Sequence, residues 1–591
     1  MPRTIAKKAG SASRARASGV AQPTTVAVET TAQAYLELLR DRGVEYVFAN
    51  GGTDFASIVD AFAKMATEKK ETPRPITVPH EATAVSMAHG YYLATGRPQV
   101  VMVHVIVGAA NASGSIMNAA RARVPIIFSA GRNPLTEEGL PGCRNRPIHW
   151  AQESFDQGNL LREFTKWDYE LRSSLQLQSV VDRALAIAMQ EPRGPVYLTL
   201  PREVLAERLH GFTLTPFRQQ TNGLLYPDPD CIAEAAKLLA KAKNPLVIAQ
   251  AIGRDPAAVP QLVELAELFG LPVVEMHRYT MNFPTTHPLH LGFDPDPFLD
   301  EADVILVLDA DVPWFPCVKK PKESARVIQL GVDPLFSRYP IRGFPVDVPL
   351  QCDGRVGLQA LVAELRRYAP GAARAIEARA KRLRAEHDRQ RATWAAAVRK
   401  VAKDAPLDFA WVGHCINEVK QEQDIVVNEY DLMPTVAEFT APGTYFGLSP
   451  SGGLGWGLGA ALGIKLALPE RTVIAAVGDG SYMFNNPTPA HFVARAQNLP
   501  ILVVIFNNQC WRAVKNAHLS VHPDGWPSAS NNFPLCNLDP SPDYEKIVGA
   551  HGGYGERVET PDQVIPALRR GLRAVQEEGR QAVLHMVCKH A

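Results

Sequence analysis

Neither sign of charge predominates in this sequence: across 591 residues, 62 lysines and arginines stand against 61 aspartates and glutamates. That balance argues against a general role on nucleic acid or at a membrane surface, both of which favour a basic excess. Long apolar runs are missing too, and none approaches the roughly 18 residues that cross a bilayer. Cysteine is sparse, with eight at positions 143, 231, 317, 352, 415, 510, 536 and 588, and there is no CxxC pair and no zinc-like spacing. The pattern excludes a disulfide framework and fits a reducing compartment, here taken as the cytoplasm. The first 28 residues lack acid altogether while carrying Arg3, Lys7, Lys8, Arg14 and Arg16. Such a stretch reads as a disordered basic tail, with a transit peptide as the alternative, so the fold is expected from residue 29.

What is present is an alternation of helical and strand-like segments, the pattern of an α/β protein with parallel sheets. An N-terminal block over 29–210 contains "VEYVFAN", "PITVPH", "QVVMVHVIVG", "VPIIFSAG" and "GPVYLTLP" as strands. A linker without periodicity follows at 211–225. A central block over 226–370 carries "NPLVIAQAIG", "LPVVEMH", "ADVILVLDAD" and "ARVIQLGVD". Residues 371–403, rich in alanine and basic residues at helical spacing, read as an exposed connecting helix. The last block spans 404–591. No sequence repeat is evident.

The chemistry is concentrated in the last block. "TVIAAV" and "PILVVIF" have the length and composition of buried parallel strands. The first ends in Gly478-Asp479-Gly480 and the second in Asn507-Asn508. Ligands of open α/β sheets gather beyond the carboxyl ends of strands, so Asp479 and Asn508 are expected to share a crevice. Both offer oxygen, which a hard cation such as Mg²⁺ requires. Taken singly, the first is a turn and the second a helix cap. Upstream, "SGGLGWGLGAALG" (451–463) sets five glycines before a helical run, where a backbone can approach a phosphate and a helix N-terminus can donate to it. Glycine there equally serves tight helix packing.

In this order, "GGLG", "GDGS" and "NLP…NN" resemble the signature of thiamine-diphosphate-dependent enzymes of the acetolactate synthase, pyruvate decarboxylase and benzoylformate decarboxylase superfamily. The resemblance implies three α/β domains, which bind the pyrimidine, occupy the centre and bind the pyrophosphate. It implies that Asp479, Asn508 and the carbonyl of Cys510 hold Mg²⁺, which in turn holds the diphosphate. Gly453, Gly480 and Ser481 would line the cofactor, and Leu454 matches the apolar wedge that bends it. The interval from Asp479 to Asn508 is longer than the family's usual one. The surplus falls in "NNPTP" (485–489), so the substrate-facing loop at 483–490 is expected to differ.

The same resemblance gives roles in the first block. Glu81, in "VPHEATAVSMAHGY", matches the glutamate that bonds the pyrimidine nitrogen and promotes the imino tautomer, whose imine deprotonates the thiazolium carbon to the ylide. Read on its own, Glu81 is a favourable acid in the first turn of a helix. Thr53 in "NGGTDF" stands where benzoylformate decarboxylase has a serine. His104, Gly108 and Asn111 in "HVIVGAANA" keep that enzyme's spacing, and His287 in "PTTHPLHLG" falls on another active-site motif. His104 and His287 are therefore candidate catalytic residues, Asn111 a cofactor contact, and Met483, Phe484 and Trp511 candidate substrate contacts.

The central block offers one glycine in "AQAIGRDP" (249–256), which argues against FAD. A structural role for this block is the favoured reading and ADP or CoA binding the alternative, with the basic loop "CVKKPKES" (317–324) as a CoA-phosphate contact or, more simply, a solvated loop. The expected chemistry makes or breaks a C–C bond beside a carbonyl, on a 2-oxo, 2-hydroxyacyl or aldehyde substrate. The resemblance points to an acetolactate synthase-like lyase or carboligase, with a 2-hydroxyacyl-CoA lyase as the specific form, and the alternative is a decarboxylase of the benzoylformate type or a benzaldehyde-lyase-like enzyme. A non-catalytic regulatory subunit is the alternative of another class. The family implies a homodimer or homotetramer with active sites at subunit interfaces.

Overall fold

The computed structural model describes residues 22–221 and 223–590. Most of the basic tail lies outside them. The described residues form two compact units: one takes those up to Thr77, Thr95–Ile116 and those of Arg123–Gly223, and the other takes Val78–Ala94, Met117–Ala122 and those from Leu224 onward.

The first unit is built on a six-stranded parallel sheet. Its spatial order is Arg74–Thr77, Tyr46–Asn50, Val100–Val103, Ile127–Arg132, Val196–Pro201, Asp168–Glu170. The central strands Val100–Val103 and Val196–Pro201 are buried throughout, as a continuous apolar run covered on both faces must be.

The second unit contains two parallel sheets. One has five strands in the order Val273–Glu275, Pro245–Ala249, Val304–Leu308, Arg326–Gly331, Val348–Gln351. The other has six: Tyr445–Gly447, Ile425–Glu429, Val473–Gly478, Leu502–Asn507, Ala582–Val587, Tyr554–Val558. A long helix, Ala369–Val401, leads from one sheet toward the other along the chain.

With strands numbered in chain order within each sheet, the first and third sheets share one spatial order, 2-1-3-4-6-5, and the middle one reads 2-1-3-4-5. The fold therefore repeats where the sequence does not, because topology constrains burial and chain reversal rather than residue identity. In each sheet the order reverses between the first and third strands, which is the switch point where α/β sheets bind ligands.

Several segments differ from the sequence reading. Thr24–Val26, at the end of the expected tail, pairs antiparallel with Phe212–Leu214, at the start of the expected linker. Three-residue strands are too short to leave a periodic signal. "QVVMVHVIVG" is not one strand: the strand stops at Val103 and a helix runs over Val105–Arg121, so Gly108 and Asn111 are helical. The 483–490 loop is not a loop either. Asp479–Phe484 and Pro487–Ala496 are helices, joined through Asn486 in the left-handed region at φ 49°.

Candidate active site

At the switch point of the third sheet, three strand ends deliver carboxylates and an amide. Val473–Gly478 and Leu502–Asn507 are buried at every position, which fixes where the chain emerges into Asp479 and Asn508. Asp479 Oδ1 accepts the Gly480 N–H and Oδ2 the Gln509 N–H, both at 2.9 Å, leaving each oxygen a further lone pair. Asn508 Oδ1 accepts the Cys510 N–H at 3.2 Å, and the Cys510 carbonyl accepts the Arg512 N–H at 2.8 Å. Between these residues Gln509 sits at φ 56°, a left-handed conformation uncommon for a side-chain-bearing residue and typical of functional turns.

The electrostatics are one-sided. Burial pushes the Asp479 carboxyl up to about 6. Burial also pushes Asp431 up to about 7, with Asp479 and Glu429 adding to the rise and Arg512 opposing it. Arg512 Nη2 donates to Asp431 Oδ1 at 2.6 Å. A carboxylate, an amide oxygen and a backbone carbonyl, set among excess negative charge, fit a hard divalent cation. No cluster of three or more His, Cys, Asp or Glu side chains suited to a metal occurs among the described residues, so a cation here depends on that mixed oxygen set.

Around this set, the indole of Trp511 covers Gly480 so closely that a Cβ there would overlap it, and the Phe484 ring meets it edge-on at 5.8 Å. Ser481 is buried, Met483 is half-buried and Phe484 is exposed.

The glycine run divides by role. Gly459 and Gly463 lie against Ser86 and Met87 of the helix Glu81–Thr95, and Gly90 of that helix meets the Ala460 carbonyl, so these glycines permit close helix packing. The N–H groups of Gly455, Trp456 and Gly457 donate to the carboxylate of Glu429. These three N–H groups, at the helix start after the glycines, are already bonded to a buried side chain. Gly453 is held by Asn118, and Leu454 is half-buried between these two anchored glycines.

Glu81 opens its helix and is 6% exposed. His80, just before it, accepts the Ala82 N–H on Nδ1, and that nitrogen lies 3.4 Å from Asn486 Nδ2. The "NNPTP" stretch is thereby brought against the segment that carries Glu81.

The first unit has its own cluster at its own switch point. His104 follows the third strand, Asp54 follows the first, and His104 Nδ1 lies 2.5 Å from Asp54 Oδ1. A Cβ on Gly52 would overlap the His104 ring, and one on Gly131 would overlap the Asp54 carboxylate, so both glycines are steric requirements of the pair. Val105, next to His104, sits at φ 28°, an outlier for a β-branched residue. Thr53 Oγ1 lies 3.4 Å from His149 Nε2, and the Asn145 N–H donates to His149 Nδ1 at 3.1 Å. Nδ1 is thus an acceptor, which puts the ring proton on Nε2, facing Thr53.

His287 Nε2 lies 3.2 Å from Glu267, its Nδ1 accepts the Leu289 N–H, and Phe283 packs edge-on against it. Asn111 is exposed on its helix. In the central sheet, Gly253 donates its N–H to Asn282, and Lys319 of the basic loop pairs with Asp300. The sequence reading missed Asp54, His149, Glu429, Asp431, Asn118 and Asn485. Asp54 adjoins the flagged Thr53, and "DIVVNEYD" ends a strand in two acids, so both signals were visible.

Strand order and strand-end chemistry define an α/β protein with an anionic crevice of oxygen donors at the switch point of its third sheet. Three family descriptions match the chain in order: "Thiamine pyrophosphate enzyme, N-terminal TPP binding domain" over residues 29–160, "central domain" over 232–361, and "C-terminal TPP binding domain" over 431–586. The chain belongs to the thiamine pyrophosphate enzymes, in the acetolactate synthase-like superfamily. It is 28% identical to a benzoylformate decarboxylase of Pseudomonas aeruginosa, covering 83% of this chain and 88% of that one. It is 24% identical to a sulfoacetaldehyde acetyltransferase of Castellaniella defragrans, over 95% and 93%. A 4-hydroxybenzoylformate decarboxylase structure from Rhodococcus jostii superposes with a TM-score of 0.77 at 22% identity, over 95% and 99%, a likeness of fold.

Proposed function

We propose that the protein is a thiamine-diphosphate- and Mg²⁺-dependent 2-oxo acid decarboxylase of the benzoylformate type. The observation that carries the reading is the Asp54–His104 pair at 2.5 Å, built into the first switch point by two sterically required glycines. The benzoylformate decarboxylase relative supports the same substrate class.

In this reading Asp479, Asn508 and the Cys510 carbonyl would hold Mg²⁺, Gly480 and Ser481 would line the diphosphate, and Leu454 would pack against the cofactor. Bound thiamine diphosphate supplies a carbon nucleophile able to accept the electron pair left when a carboxylate departs as CO₂. Glu81 exchanges a proton with the cofactor's pyrimidine nitrogen. Asp54 fixes the His104 ring, and His104 exchanges a proton with the substrate. Thr53 and His149 contact the substrate carboxylate, while Phe484, Met483 and Trp511 supply apolar walls that suit an aromatic side chain. Active sites lie at the interfaces of a homodimer or homotetramer.

A lyase or carboligase, including one acting on 2-hydroxyacyl-CoA, is the second reading, favoured by the acetyltransferase relative that spans nearly the whole chain. A panel of aryl and alkyl 2-oxo acids, 2-hydroxyacyl-CoA thioesters and aldehydes separates the two. CO₂ and an aldehyde released from an aryl 2-oxo acid support the decarboxylase. Product formation only from thioesters or aldehyde pairs overturns it.

A further inference from the structure

Three buried polar side chains from distant parts of the second unit converge on one short segment, Ser451–Leu458. From one flank Asn118 grips Gly453 twice. Its Nδ2 donates to the Gly453 carbonyl at 2.7 Å, and its Oδ1 accepts the Gly453 N–H at 3.1 Å together with the Ser451 hydroxyl at 2.7 Å. From the other flank Glu429 accepts the N–H groups of Gly455, Trp456 and Gly457 at 2.6, 3.4 and 2.7 Å. Asn485, the first residue of "NNPTP", joins the two parts: its Nδ2 donates to Glu429 and to the Ser481 carbonyl, both at 2.8 Å, and its Oδ1 accepts the Leu458 N–H at 2.7 Å. Exposure is 2% for Asn118, 0% for Glu429 and 1% for Asn485.

A helix start is ordinarily capped by a Ser, Thr, Asp or Asn of its own sequence. Here Trp456 holds the cap position without a side-chain bond, and a carboxylate from a strand end replaces the local cap. Burying that carboxylate is costly unless it is fully hydrogen-bonded, and it is. The arrangement immobilises the backbone on both sides of Leu454. Through Ser481 it also ties that turn to the helix that begins at Asp479.

We infer that Glu429, Asn485 and Asn118 are positioning residues that preset the Gly453–Leu454–Gly455 turn for the cofactor, so that no ordering of that turn is left for the binding step. The inference rests on the thiamine diphosphate reading above. It also gives "NNPTP" a role: Asn485 holds the turn, and Asn486 meets His80 beside Glu81.

The test is hydrogen exchange on cofactor-free protein, combined with calorimetric titration of thiamine diphosphate in Mg²⁺. Wild-type peptides covering 451–458 are expected to exchange slowly. In Asn485→Ala and Glu429→Gln, exchange there rises at least tenfold and cofactor affinity falls about tenfold. Asn118→Ala, which removes bonds without touching the buried charge, serves if those two do not fold. A merely structural role would lower the melting temperature and leave the affinity of the folded protein unchanged, which overturns the inference. So does wild-type exchange at 451–458 as fast as in the exposed helix Arg512–Val521. Wild-type protein that takes up no thiamine diphosphate overturns the functional reading and this inference together, whereas normal uptake by all three variants overturns this inference alone.

Discussion

Asp54 and His104, fifty positions apart in sequence, meet at 2.5 Å where the first and third strands of one sheet end. The carboxylate is 3% exposed, so it orients the ring from beneath while the imidazole keeps partial access to solvent. Replacing His104 by Ala is expected to lower kcat by about 10²–10⁴, the usual range for a general acid or base. Asp54→Asn, which preserves shape, should lower kcat by about tenfold or more with little change in KM. In the double variant the two losses should fall well short of adding, because one residue acts through the other. Fully additive losses would separate the two residues functionally.

The crevice carboxylate should report on metal. Asp479→Ala, or removal of divalent cations with a chelator, is expected to weaken thiamine diphosphate binding by more than tenfold in calorimetry, with the protein still folded by circular dichroism. Mg²⁺ added back restores binding to the wild type and not to the variant. Equal binding with and without divalent cations would contradict the oxygen set assigned here.

Glycine at the helix contact is a packing requirement. A Cβ on Gly463 would overlap the Met87 carbonyl, and one on Gly90 the Ala460 carbonyl. Because backbone cannot step aside as a flexible side chain can, each Gly→Ala change should destabilise by about 1–3 kcal/mol or more, the range for overpacking. Urea unfolding measures this directly, and wild-type midpoints for both variants would refute it.

Two buried histidines give the protein an acid-sensitive core. Burial lowers His89 to about 3 and His491 to about 4. His89 packs edge-on against Trp456, and its Nδ1 has no hydrogen-bond partner among the described residues. Each is neutral when folded and takes a proton more readily when unfolded. Their contribution is therefore complete above about pH 6.5, the ordinary histidine value, and is lost as pH falls from there toward 3–4. Each should steepen the loss of stability by at most about 1.4 kcal/mol per pH unit. Urea midpoints between pH 7 and 4.5 should fall less steeply in His89→Gln than in wild type. Parallel curves would remove His89 from the explanation.

Much of this was legible in the sequence, for identifiable reasons. Buried parallel strands are continuous apolar runs, so Val473–Gly478 and Leu502–Asn507 announce themselves, and the polar residues that end them announce the crevice. Of the two uses of glycine open for 451–463, close helix packing is met at Gly459 and Gly463. What escaped were partners set by topology. Asn118 reaches Gly453 across 335 positions and Asn485 reaches Glu429 across 56, and no local pattern encodes such pairs. The shared strand order of the first and third sheets was hidden for the same reason.

The most direct test of the central claim joins binding to turnover at Glu81. Wild type and Glu81→Gln are titrated with thiamine diphosphate in Mg²⁺, then given benzoylformate while CO₂ release is followed. Comparable cofactor binding by both proteins and CO₂ release by the wild type alone are expected. Undiminished CO₂ release by Glu81→Gln, or no cofactor binding by the wild type, would contradict that claim.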